Sequence, residues 1–154
     1  LAGGARHVVA VDVGHGQFDW KLRNDPKVTL LERTNARHLT IDQIPGAPDI
    51  VVCDASFIGL RTILPAALVL AAPGAWLVAL IKPQFEVAKA LVEKGGVVRD
   101  PNLHQGICDE ISTWLDQVPD WQVIGVSESP VLGPEGNKEF LVAARKKAEA
   151  QSPN

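Results

Sequence analysis

The sequence predicts an α/β domain, doubly wound about a mostly parallel sheet, with an antiparallel strand at its C-terminal end. Three observations predict it. Short apolar runs recur along the chain and each closes on a polar or charged residue; stretches with helical spacing lie between them; and the last two runs are joined by a loop too rich in proline and glycine to hold a helix. The 154 residues have the length of one ordinary domain, and 46% hydrophobic with 21% charged residues excludes a disordered tail or a repeat fibre.

The first run is His7-Val-Val-Ala-Val-Asp12, followed by Gly14-His15-Gly16 and a helical stretch containing Phe18, Trp20 and Leu22. Val28 to Leu31 is the second, ending in the polar cluster Glu32-Arg33-Thr34-Asn35-Ala36-Arg37. Ile50 to Cys53 is the third and stops at Asp54; Trp76 to Ile81 is the fourth and stops at Lys82-Pro83. These runs are continuous rather than alternating, which predicts strands buried on both faces. From Thr62 to Ile81 there is no charged residue, enough for a membrane span of about 20 residues. Pro65, Pro73 and Gly74 divide that stretch, so it reads as a helix from Leu60 to Ala72, a turn at Ala72-Pro-Gly-Ala75, and a strand, with no membrane partner expected.

The next helix carries the strongest local signals: Asp100 as N-cap, Pro101 at the first position, and Leu103, Ile107, Ile111, Trp114, Leu115 and Val118 at helical spacing, with an end near Pro119. Trp121 to Val126 and Glu139 to Ala144 then read as antiparallel neighbours across the loop Ser129 to Asn137. The domain is expected to span residues 1–145, with Arg145 to Asn154, including Lys146, Lys147, Ser152 and Pro153, as a frayed end.

A net charge of −3 and a pI near 5.8 give no overall basic field, so any nucleic-acid contact needs a local patch or another segment. Two distant cysteines, Cys53 and Cys108, fit a reducing, cytoplasmic setting better than a disulfide framework. No signal peptide opens the chain, and the lack of any methionine implies an N-terminus made by processing or truncation.

A ligand of a doubly wound domain lies outside the carboxyl ends of its parallel strands. Asp12, Thr34, Asn35, Asp54 and Lys82 each follow the end of an apolar run and are therefore expected to converge on one crevice. Asp12 can accept both hydroxyls of a ribose, or can simply cap its loop. Gly14-His15-Gly16 lacks the spacing of a dinucleotide loop and reads as a tight turn. Asp54 and Lys82, at the ends of adjacent strands, can position a weakly acidic hydroxyl and take its proton, or form a salt bridge at the mouth of the sheet. Glu139 or Glu135 can supply a second acid, and spacing does not choose between them. Arg99 follows a glycine-led loop and can reach a phosphate. Arg33, Arg37 and His38 form a small basic patch or a solvated edge. The histidines have no metal spacing, so no metal site is assigned, and Ser56 has no histidine partner for nucleophilic catalysis.

Six stretches carry a resemblance: Val11-Asp-Val-Gly-His-Gly-Gln17, Glu32-Arg-Thr-Asn-Ala-Arg37, Asp54-Ala-Ser-Phe57, Ile81-Lys-Pro-Gln-Phe-Glu86, Gly95-Gly-Val-Val-Arg-Asp-Pro101 and Gly133-Pro-Glu-Gly-Asn-Lys-Glu-Phe140. In order and over almost the whole chain they resemble the TlyA-type proteins, often labelled hemolysin A, among the FtsJ-like RNA ribose methyltransferases. The resemblance implies a Rossmann-like fold, S-adenosyl-L-methionine as cofactor, and methyl transfer to a ribose 2′-hydroxyl of ribosomal RNA. Of the family's Lys-Asp-Lys-Glu tetrad it implies Asp54, Lys82 and Glu139, which places Glu139 ahead of Glu135. Lys82 is then expected to orient the hydroxyl and assist its deprotonation, with the acids fixing the ammonium or relaying the proton.

It further implies that Asp12 and Val13 meet the cofactor ribose, that Thr34, Asn35 and Ala36 border the adenine, that Asp54 also faces the cofactor, and that Arg37 and Arg99 meet RNA. The family places an RNA-binding domain, a first strand with its glycine loop, and the first tetrad lysine ahead of Leu1. Leu1 to Ala5 is thus expected to be the tail of a helix, and the chain alone to be inactive. The hemolysin label implies a competing reading as a membrane-active protein, and a nicotinamide oxidoreductase is disfavoured by the missing G-x-G-x-x-G.

Overall fold

The structure is a computed structural model that describes residues 1–149; Ser152 and Pro153 of the expected frayed end lie outside the described residues. Six strands form two sheets. β1 (Val8–Val11) pairs in parallel with β2 (Val28–Leu31), and a four-stranded sheet has the order β3 (Ile50–Cys53), β4 (Trp76–Ile81), β6 (Phe140–Lys146), β5 (Trp121–Glu128). β3 and β4 run in parallel, while β6 is antiparallel to both β4 and β5, as the Pro/Gly-rich connection requires. That loop holds a single 3-10 turn, Pro134–Gly136. β5 carries one extra residue between Val123 and Gly125, a bulge that bends it past β6.

Helix α2 (Leu60–Leu70) buries Leu60, Leu64 and Leu68, four residues apart and therefore on one stripe. Its N-cap, Gly59, has no side chain to offer, and Glu86 from another segment accepts the Leu60 amide instead at 2.8 Å. Helix α4 (Pro101–Gln117) starts as expected, with Asp100 accepting the Asn102 amide at 2.8 Å, and buries His104, Ile107, Cys108, Ile111 and Leu115. Both helices lie on the face that carries Leu77, Ala79 and Ile81 of β4 with Val142 and Ala144 of β6, and together they make the core.

Four expectations need correction. The apolar strands are not covered on both faces: Ile50 and Val52 are 62% and 76% exposed, beside the partly exposed Trp76 and Val78, so burial alternates along β3 and β4. A continuous run is compatible with one covered face or two, and composition does not count the covers. The helix after the glycine loop shrinks to one turn, α1 (Trp20–Arg23). Leu1 to Ala5 forms an exposed turn rather than the tail of a helix. Finally, Arg145 and Lys146 are not frayed but close β6, where the Lys146 ammonium donates to the carbonyls of Leu68, Val69 and Ala71 at 2.7 to 3.2 Å and caps the end of α2.

The uncharged stretch from Thr62 to Ile81 is α2, a turn and β4, with Leu77, Ala79 and Ile81 in the core. Among the described residues no helix is long and apolar enough to cross a membrane.

Candidate active site

β3 and β4 are parallel with Cys53 paired to Ala79, and β4 runs two residues further, so the residues just past their two ends leave the sheet on the same side, two positions apart in register and within reach of a lysine side chain. Those residues are Asp54 and Lys82. The Lys82 side chain is 10% exposed and its Nζ lies 2.5 Å from Asp54 Oδ1, whereas the Asp54 side chain is 70% exposed. A buried ammonium thus meets solvent through its acid. Ser56 Oγ is 3.4 Å from the same Nζ. Burial, with Asp54 alongside, pushes the Cys53 thiol up to about 11, so it stays protonated at neutral pH and does not compete as a nucleophile.

Glu139 comes from the other side. Ile81 faces Phe140 in the β4–β6 register, so Lys82 and Glu139 are the next residues beyond it on neighbouring strands. Glu139 is 6% exposed, while Glu135 is exposed in the preceding turn at a φ of 58°. The expected contact between Glu139 and Lys82 is not made: no ion pair joins them among the described residues, and Glu139 Oε1 instead accepts from Gln84 Nε2 at 3.1 Å. The loop leaves no room for a side chain against this acid, since a Cβ on Gly133 would overlap the Glu139 carboxylate.

Asn137, 2% exposed, fastens that loop: its Oδ1 accepts the Val98 amide at 3.0 Å and its Nδ2 donates to the carbonyls of Gly96 and Pro134. Sequence reasoning passed over both Gln84 and Asn137. The signal was present, because each lies inside a stretch that carries the family resemblance, but neither is titratable.

At the rim, Phe57 sits at a φ of 64° with 90% of its surface exposed, its ring 4.9 Å from that of Phe85. A bulky residue rarely adopts this backbone region without compensation. Arg99 donates through Nη1 to Glu93 at 2.6 Å and, with its side chain 62% exposed, keeps its other donors toward solvent; Arg37 is exposed.

The remaining predicted residues form a second group at the ends of β1 and β2. Asp12 Oδ1 accepts the Gly14 amide at 2.8 Å, and its backbone carbonyl accepts from Thr34. Its second oxygen makes no bond among the described residues, which fits one end of a ribose diol. Val13 is 69% exposed beside it. Asn35 caps the 3-10 turn Ala36–His38 by accepting the Arg37 amide at 3.0 Å, and Thr34 Oγ1 donates to the Glu32 carbonyl. Glu32 organises this end, accepting two bonds from Arg23 and one from Gly16, with His15 3.2 Å away. The Arg23 guanidinium holds its carboxyl down at about 2. Of the five polar groups expected in one crevice, Asp54 bonds to Lys82 past the ends of β3 and β4, and Asp12 bonds to Thr34, beside Asn35, past the ends of β1 and β2, which makes two bonded sets. No hydrogen bond joins the sets among the described residues.

The family of FtsJ-like methyltransferases matches residues 1–146. The 16S/23S rRNA (cytidine-2′-O)-methyltransferase TlyA of Mycobacterium tuberculosis is 50% identical over 142 residues, which are 92% of this chain and 53% of that protein. Hemolysin A of Brachyspira hyodysenteriae is 37% identical over 143 residues, 92% of this chain and 59% of that protein. The chain thus spans little more than half the length of the curated relatives it matches. A solved protein of Streptococcus thermophilus under a hemolysin label is 37% identical, covers 99% of this chain and 54% of its own, and superimposes with a TM-score of 0.88.

Proposed function

This chain belongs to the FtsJ-like methyltransferase family, and from that premise we propose that the protein methylates a ribose 2′-hydroxyl of ribosomal RNA with S-adenosylmethionine. The observation that carries the reading is the buried Lys82 bonded to Asp54 at the ends of two parallel strands, with the buried Glu139 one position beyond the neighbouring register pair. The name of the Mycobacterium tuberculosis relative makes cytidine the first nucleotide to test.

Asp12 and Val13 would hold the cofactor ribose, and Thr34, Asn35 and Ala36 would border its adenine. When bound, S-adenosylmethionine supplies a methyl group on a sulfonium, already activated for transfer. The side chains are then left to align the hydroxyl and remove one proton. Lys82, fixed by Asp54, orients the hydroxyl oxygen, and in its neutral form takes the proton. The exposed Asp54 offers that proton a path to water. Phe57 presents a ring face beside the pair, suited to stacking on an unstacked base. With a net charge of −3, affinity for RNA rests on local groups such as Arg33, Arg37 and Arg99, or on an RNA-binding domain of the full-length protein.

The test is the full-length protein with isotopically labelled S-adenosylmethionine and ribosomal RNA, followed by nuclease digestion and identification of the methylated nucleoside. A 2′-O-methyl nucleoside is expected, and Lys82→Ala is expected to lower its rate by at least about 100-fold, the scale of a lost acid–base group. Full activity in Lys82→Ala overturns the site.

A further inference from the structure

We infer that Gln84 is a positioning residue that holds the carboxylate of Glu139 in place for the reaction, an inference that rests on the function proposed above. Glu139 is 6% exposed and has no cationic partner among the described residues, because the Lys82 ammonium is engaged by Asp54. Its side-chain bond is the one from Gln84 Nε2 to Oε1, 3.1 Å long. Gly133 packs against the same oxygen, and a Cβ there would overlap the carboxylate where it now stands. The carboxylate is thus set against the Gly133 backbone and held by a single neutral donor.

The other end of Gln84 shows what the residue is for. Its Oε1 is buried and has no hydrogen-bond partner, and among the described residues no other buried side-chain polar atom is left in that condition. A glutamine kept only for packing would be turned, or replaced, until both ends were satisfied. Turning this amide would put its oxygen against the Glu139 carboxylate, acceptor against acceptor. The orphaned carbonyl is therefore the cost of presenting the amide N–H to Glu139. Local backbone supports the same geometry: Pro83 is fully buried at the first position of the one-turn helix α3 (Pro83–Glu86), so Gln84 follows Lys82 on a rigid connection.

A neutral donor suits an acid that has to remain available to a lysine. An arginine at this place would compete with Lys82 for Glu139, whereas an amide fixes the direction of the carboxylate and leaves its second oxygen unclaimed.

The experiment uses the full-length protein, with Lys82→Ala as the control. Gln84→Met, nearly isosteric but without a donor, is expected to lower kcat by about tenfold to a hundredfold, the scale of a misplaced catalytic group, with KM for RNA and for S-adenosylmethionine unchanged. Gln84→Glu is expected to be slower still above neutral pH and to recover as pH falls, because one shared proton restores a donor between the two carboxyls. A packing role would instead lower Tm and leave the pH profile parallel to that of the parent. If Lys82→Ala is inactive while Gln84→Met keeps the parental kcat and profile, the inference is overturned and the proposed function stands. If the parent protein methylates no RNA, the function fails and the bond is judged by NMR. The Gln84 side-chain amide protons are expected to move toward free-amide positions in Glu139→Ala, and unchanged signals overturn the inference.

Discussion

Residues 1–50 and the rest of the chain are built on different principles. In the first stretch no residue is buried; Val51, still 9% exposed, is the first that is, and every other member of the core cluster follows it. β1 and β2 are half-buried throughout and, among the described residues, pair only with each other, and polar contacts around Glu32 and Asp12 hold their ends. Beyond Val51, by contrast, two helices close over one face of a four-stranded sheet. The difference divides the labour of the site. The proposed catalytic pair grows out of the well-packed region, where a lysine can be held still, and the proposed cofactor contacts lie on the region that local polar bonds organise.

The largest effect that would test this contrast is in the core. Leu68 is fully buried between α2 and its neighbours, and Leu68→Ala is expected to cost about 2–5 kcal/mol in denaturant unfolding. Leu30, on the half-buried β2, loses less contact on the same truncation, and Leu30→Ala is expected to cost roughly half as much or less. Equal costs at the two positions would erase the distinction.

The same contrast explains what was legible in the sequence. The bounds of β2, β3 and β4 follow from residue type, because each apolar run is closed by a residue that ends a buried strand: Glu32, Asp54, Lys82 followed by Pro83. The start of α4 follows likewise from Asp100 and Pro101. The adjacency of Asp54 and Lys82 was legible once β3 and β4 were parallel neighbours. The partner of Glu139 was not, since it depends on which way a glutamine amide turns in the folded loop, and sequence spacing carries no such information. Nor was the role of Lys146, whose ammonium reaches carbonyls on α2 more than seventy positions earlier. Contacts of that range are written in the topology rather than in any local pattern.

Lys146 supplies the next smaller effect. It ties the end of β6 to the end of α2, and its replacement leaves the Ala71 carbonyl without that donor, while Leu68 keeps the bond from Trp121. Lys146→Met keeps the aliphatic stem and removes only the donor. A loss of about 1–3 kcal/mol is expected, the cost of an unsatisfied partly buried acceptor. The loss should appear as faster amide exchange in the last turn of α2. An unchanged exchange rate there would show that the cap does not stabilise the helix end.

The smallest effect belongs to the polar end of the first region, and its sign follows from the titration of Glu32. The Arg23 hydrogen bond lowers its carboxyl from 4.5 to about 2 in the folded chain, with smaller help from the Gly16 amide and from His15. A carboxyl lowered on folding stabilises the fold above its unfolded value and loses that contribution as pH falls through the folded one. The contribution of Glu32 is therefore full above about 4.5 and fades between there and about 2. Because the cluster is open to solvent, screening keeps the effect small. The loosening should be local, seen as a shift of the Gly16 amide and faster exchange along β1 and β2, while the core amides stay protected. Glu32→Gln should show the loosened signals at neutral pH and a flat response to acid. If the variant and the parent respond alike between pH 5 and 2, another group holds the glycine loop and the two regions are not separately anchored.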